Sequence, residues 1–190
     1  MKLVPIYIVC ILLALGAIGC AKPPTEVMNN AVEAVTRAEN DADAVMYAGN
    51  TLARARDALN RMRAEADSKR YDAAKTLAAE AIASAERAVV DGRAGAARAR
   101  DEAASLLSSL RSEIEQTGQG IQSARNAGLN LDYNELNRDY DTARQSADQA
   151  EVANAGNRYN DALERGRNAR AVLSGINQKL TNAVTAISSK

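Results

Sequence analysis

The chain has 190 residues, with 24 Lys and Arg against 24 Asp and Glu and no His, Phe or Trp. Balanced, interspersed charge leaves no electrostatic footprint for nucleic acid, and the missing imidazole removes the usual acid-base group and a common metal ligand. Its only cysteines, Cys10 and Cys20, stand at the N-terminal end, so the body holds no thiol for nucleophilic or metal chemistry; composition points away from an enzyme, a metal site or a cofactor.

Met1-Lys2 supplies one positive charge and Leu3 to Ala17 is almost wholly apolar, as the core of a secretory signal is. Ala17-Ile18-Gly19-Cys20 follows, with small residues at the third and first positions before the cysteine. This resembles the lipobox of bacterial lipoproteins, in which the cysteine thiol receives diacylglycerol and becomes the mature first residue. The resemblance implies a signal peptide over 1–19, lipidation of Cys20 and a palmitate-bearing anchor. It departs from the strongest form at Ala17, where Leu is commonest, and at the bulky Ile18. Two other readings stand beside it. The apolar run approaches the ~20 residues of a spanning helix, and an ordinary secretory signal could end at an incidental cysteine. Removing 19 residues leaves 171 residues at a net charge of −1, from 23 basic and 24 acidic side chains. Lys22-Pro23-Pro24 resists helix, because Pro lacks a donor and restricts its predecessor, so 20–27 is expected to be a tether.

From Thr25 to Lys190 there is no proline, and Ala and Arg, both strong helix formers, dominate. Met28, Ala31, Val35, Ala38, Ala42 and Val45 step by three and four along one helical face. After Gly49-Asn50 the stripe is Leu52, Ala55, Leu59, Met62 and Ala66, and Asp67 to Arg70 interrupts it. Tyr71, Ala74, Ala78, Ala81, Ala85 and Ala88 restart it; Asp91 to Gly95 is either a kink or a close-packing point. The stripe resumes through Ala99, Ala103, Leu106, Leu110 and Ile114. Whether 71–115 is one helix or a kinked pair stays open. Thr117-Gly118-Gln119-Gly120 reads as a helix stop, followed by a turn or weak helix to Asn130. Asp132 and Glu135 then form a capping box, with Leu131 and Leu136 as its hydrophobic staple. Tyr133, Leu136, Tyr140, Ala143, Ala147 and Ala150 make the next stripe. A break at Ala155 to Arg158 precedes the last, on Tyr159, Ala162, Gly166, Ala169, Leu173, Ile176, Leu180, Ala183 and Ile187.

Adding 88 to Leu52, Ala55, Leu59 and Met62 gives Tyr140, Ala143, Ala147 and Ala150, and the same step carries Arg70-Tyr71 onto Arg158-Tyr159. The pattern predicts an all-α fold: an elongated antiparallel bundle of helical hairpins with coiled-coil-like packing and a two-copy internal repeat. The expected plan is a first hairpin region over 28–117, a linker over 118–131 and a second hairpin over 132–190. Small stripe residues bring helix axes to the near end of the usual ~8–10 Å.

Gly49 to Leu59, Lys69-Arg70-Tyr71-Asp72-Ala73-Ala74, Leu77-Ala78 and Ala81 look like a domain family of unknown function found in lipoproteins of didermal bacteria. The resemblance runs from Ala38 to Ala88, with an echo from Leu136 to Leu173, and implies a helical envelope protein without catalytic residues. The stripe tyrosines are read as core residues with hydroxyls at the rim, the alternative being a ligand platform. Arg54, Arg56, Arg61, Arg63 and Arg70 are read as a salt-bridged solvent face beside Asp57, Glu65 and Asp67, the alternative being a site for an acidic or peptidoglycan-like partner. Lys190 is read as a solvated chain end. The alternative is peptidoglycan attachment, because a helical lipoprotein ending in Lys resembles the major lipoprotein of enteric bacteria; the basic-aromatic run of that family is absent before Lys190.

These readings lead to one expectation: a membrane-anchored helical lipoprotein of the cell envelope, at the outer membrane facing periplasm or surface, with a structural or adaptor role. Its partners would be the membrane through the lipid, envelope proteins or peptidoglycan, and a second copy of itself; nucleic acid is excluded. A surface-displayed adhesin or antigen and a periplasmic ligand carrier are the alternatives.

Overall fold

Alanine at every third or fourth position, with no proline after Pro24, gives helix almost throughout the computed structural model, which describes residues 22–188. Among these residues there is no strand, and the six helices are α1 (Thr25–Asn40), α2 (Ala42–Tyr47), α3 (Gly49–Asp67), α4 (Tyr71–Asn126), α5 (Tyr133–Ala155) and α6 (Tyr159–Ser188). The expected all-α class is observed. The chain divides into two units, one up to Arg93 and one from Ala94 onward. The first unit holds α1, α2, α3 and the start of α4, and the second holds the rest of α4 with α5 and α6, one helix more than the expected second hairpin.

In the first unit Ala31, Val35 and Ala38 of α1 meet Leu52, Ala55, Leu59 and Met62 of α3, and Ala74, Ala78, Ala81 and Ala85 of α4. The expected stripe over α1 ends early. Asp41 adopts an extended conformation and its carboxylate accepts from the Ala44 N–H at 2.8 Å, capping a new helix. That break rephases the chain, so Ala44 is buried while Ala42 and Val45 face solvent. Helix α1 also starts at Thr25, inside the expected 20–27 tether. Pro24 stands at its N-cap with φ −79°, a value proline holds without cost, and Glu26 lies in the first turn where the helix dipole favours a carboxylate.

Helix α4 is continuous over 56 residues, and the linker expected over 118–131 is helical as far as Asn126. Gly118 and Gly120 are packing positions. A Cβ on Gly118 would lie 2.7 Å from the Tyr140 hydroxyl, which donates to the Ile114 carbonyl at 3.2 Å. The Asp91–Gly95 segment is likewise helical, and Gly92 is a close-packing point against the backbone of α2. The true end of α4 comes at Gly128, with φ +67° and bonds from the Gly128 N–H to the Arg125 carbonyl and from the Leu129 N–H to the Ala124 carbonyl. Those two bonds are the Schellman pattern.

The same pattern closes α3 and α5, at positions 88 apart. Lys69 and Asn157 hold φ of +60° and +58°. Lys69 N–H donates to Ala66 and Arg70 N–H to Glu65; Asn157 N–H donates to Asn154 and Arg158 N–H to Ala153. The repeat seen in the sequence therefore extends to the backbone of its turn. A side chain with Cβ in this region costs about 1–2 kcal/mol. Lys69→Gly is accordingly expected to raise the urea midpoint, by about 1 kcal/mol less the entropy glycine gains unfolded, and Asn157→Gly by less, since Asn tolerates the conformation.

In the second unit α5 and α6 run antiparallel, with Lys179 reaching Glu135 at 2.9 Å and Asp139 at 3.1 Å. Helix α6 also lies along α4, through Arg170 to Glu113 at 3.0 Å and Asn177 to the buried Thr117 at 3.0 Å. Only half of the expected capping box forms. Asp132 accepts from the Asn134 and Glu135 N–H groups at 3.0 Å each, but the Glu135 carboxylate turns to Lys179 instead of back to Asp132. Leu131 does pack into the cluster built on Leu136, as the staple requires. The N–H of Glu135, with that of Asn134 behind it, holds the Asp132 carboxyl below its usual range. A depressed carboxyl contributes stability above its unfolded value and loses it as pH falls through the lower folded one. Asp132→Ala should therefore lower the urea midpoint at pH 7, and the gap to the parent should close below about pH 4.

Candidate functional site

Cys20, the lipidation candidate, and Lys190, the candidate for peptidoglycan attachment, both lie outside the described residues, as does the 1–19 signal segment. The described chain opens at Lys22, two residues after Cys20. Lys22-Pro23-Pro24 leads straight into α1, with the Thr25 N–H donating to the Pro23 carbonyl at 2.9 Å.

Lys22 comes to rest against the turn between α3 and α4. Together with Lys69, Arg70, Tyr71, Asp72 and Lys75 it lines a cleft of about 330 Å³. Arg70 donates through two nitrogens to the Glu65 carboxylate, one bond at 2.9 Å, and this pairing holds the Glu65 carboxyl low and the Arg70 guanidinium high. Lys75 reaches Asp72 at 3.4 Å. Lys22 and Lys69 form no ion pair among the described residues.

A second concavity lies in the second unit, where α4 and α6 end beyond the start of α5. Gly120, Ala124, Leu129, Leu180, Val184 and Ile187 line an open groove of about 650 Å³. Val184 and Ile187 are more than half exposed there, so the predicted stripe of α6 runs past the helix that would cover it. Sequence periodicity placed Leu180, Ala183 and Ile187 on one face, left Val184 off it, and did not show that α5 begins too late to cover the end of α6.

The other residues singled out in the sequence fall into structural roles. Tyr133, Tyr140 and Tyr159 are half-buried, and their hydroxyls donate to Leu129, Ile114 and Asn157 at 2.9, 3.2 and 2.7 Å. Tyr133 and Tyr140 pack against the core with polar tips at the rim, whereas Tyr159 sits at the α5–α6 turn with its hydroxyl in solvent. Arg56 pairs with Glu39 at 2.6 Å and Arg61 with Asp57 at 3.6 Å, both in solvent. Such exposed pairs are each worth ~0–1 kcal/mol. Among the described residues no group of three His, Cys, Asp or Glu side chains could hold a metal, and no helix is long and apolar enough to cross a membrane.

No curated protein and no solved structure matched the chain. Residues 26–104, which take in α1, α2, α3 and the first part of α4, match the model of a family described as a domain of unknown function (DUF4398).

Proposed function

We propose that this protein is a lipid-anchored helical lipoprotein of the bacterial cell envelope, whose body serves as a scaffold or adaptor. The observation that carries the reading is Ala17-Ile18-Gly19-Cys20 at the end of an apolar run, followed within five residues by a helical body. Small residues before the cysteine suit a signal peptidase, and two or three acyl chains on Cys20 would give durable attachment where one chain is marginal. The body supports the role by its construction. Its buried faces are dominated by alanine, which packs helices closely and leaves little interior volume for a reaction centre. Envelope proteins or peptidoglycan are the partners this reading implies, with attachment through Lys190 as its most specific form.

Metabolic labelling with a radioactive or clickable palmitate tests the anchor. Label on the parent chain and none on Cys20→Ser supports it; an unlabelled parent removes it. Digested sacculi carrying no peptide linked through Lys190 would remove the covalent form.

The groove at the end of α4 and α6 favours a second reading, a carrier of apolar ligands. Its volume falls within the ~300–1,000 Å³ of small-molecule sites. Native mass spectrometry of protein taken gently from membranes would show an apolar adduct, lost on Val184→Asp, if this reading holds.

A further inference from the structure

We propose that the cleft formed by Lys22 and the α3–α4 turn is a docking surface for anionic lipid headgroups, which holds the first unit with that turn against the membrane. The inference rests on the lipid anchor proposed above. Cys20 and Lys22 are separated by at most about 7 Å of extended chain. With acyl chains on Cys20, Lys22 lies in the headgroup zone, and the side chains that share its cleft lie there with it. Lys69, Arg70 and Lys75 are those side chains. Against them stand the carboxylates of Glu65, held by Arg70, and Asp72, held by Lys75, so four cations face two anions for a net of +2. The surplus sits on Lys22 and Lys69, whose ammonium groups have no ion partner among the described residues.

The second copy of the turn serves as an internal control. Asn157-Arg158-Tyr159 repeats the backbone, the φ values and the hydrogen bonds of Lys69-Arg70-Tyr71. It keeps the Arg and the Tyr but has Asn157 in place of Lys69, Asn160 in place of Asp72 and Leu163 in place of Lys75. Folding of the turn therefore does not require the lysines. At position 69 a lysine is the more costly occupant of a left-handed conformation than the asparagine of the other copy. Only the turn beside the tether carries this charge, and a phosphate-rich surface is what the tether would bring to it.

A charge near an anionic membrane surface is worth roughly a factor of five per lysine or arginine. The test uses the full processed chain in phosphatidylcholine vesicles with and without about one-third phosphatidylglycerol, read by a fluorophore on Ser68→Cys and quencher-labelled headgroups. Strong quenching in anionic vesicles is expected, with the docked-to-undocked ratio falling about 25-fold in Lys22→Gln/Lys69→Asn. A comparable fall is expected for the unaltered lysines in 0.5 M salt, roughly where screening shortens to a few ångströms. Equal quenching at Ser68→Cys in neutral and anionic vesicles, or quenching indifferent to both the double substitution and salt, overturns the proposal. The palmitate labelling is scored separately. Labelled Cys20 without charge-dependent quenching refutes the docking surface alone, whereas unlabelled Cys20 with charge-dependent quenching refutes the anchor and supports the surface.

Discussion

Gly92→Ala should destabilise the first unit by about 1–3 kcal/mol, although alanine is the better helix former by ~1 kcal/mol. A Cβ at this position would fall 2.5 Å from the Ala44 nitrogen, 2.6 Å from the Asp43 carbonyl carbon and 2.7 Å from the Ala44 Cα. All three are backbone atoms, and none can swing aside as a side-chain tip can. Helix α4 would have to withdraw from α2 by on the order of 1 Å to restore normal contact, loosening the contacts around it. Gly175 supplies the comparison, since nothing lies within 4 Å of its Cβ direction. Gly175→Ala should raise stability by about the full propensity difference, ~0.8–1 kcal/mol. Urea unfolding followed by circular dichroism reads both, and a Gly92→Ala protein as stable as the Gly175→Ala protein would show that α2 does not rest on α4 as described.

Met62→Ala should cost about 2–5 kcal/mol, the largest effect expected of a single truncation here. Met62 is fully buried within the cluster of the first unit, alongside Leu52 and Leu59. Among the described residues, 21 of the 35 buried apolar side chains are alanine, so each large side chain accounts for an outsized share of the buried apolar area. Its alanine neighbours have no rotamers with which to fill the space left behind, so the cavity should stay open. Met62→Leu, nearly equal in volume, should cost under ~1.5 kcal/mol. A midpoint unchanged in Met62→Ala would contradict the burial.

Much of this fold was legible because helix needs only local information. The stripes on Leu52 to Met62, Tyr71 to Ala88 and Tyr140 to Ala150 are the observed inner faces, and Asp132 caps α5 where its position before an apolar run suggested. The turn repeated at a step of 88 residues was visible from Arg70-Tyr71 and Arg158-Tyr159. The errors came where one residue type serves two purposes. Gly118 and Gly120 read as a stop, yet they clear space for Tyr140 and Leu180, partners distant in sequence. The stripe from Met28 to Val45 read as unbroken, yet the Asp41 carboxylate caps α2 within it and buries Ala44 instead of Ala42 and Val45. The cleft with Lys22 was not legible, because no periodicity says that a tether folds back against a turn nearly 50 residues later. Arg70 and Lys22-Pro23-Pro24 are each visible in the sequence, but no local pattern places them side by side.

The alanine-dominated interior also has a calorimetric consequence. The heat-capacity change on unfolding grows with apolar surface exposed and shrinks with polar surface. Unfolding this body uncovers many methyl groups and long runs of peptide but few large hydrocarbon side chains. Its heat-capacity increment should fall below the usual ~12–15 cal/mol/K per residue. A small increment flattens the curve of stability against temperature, so the folded state should hold a nearly constant margin across a wide range and resist cold unfolding.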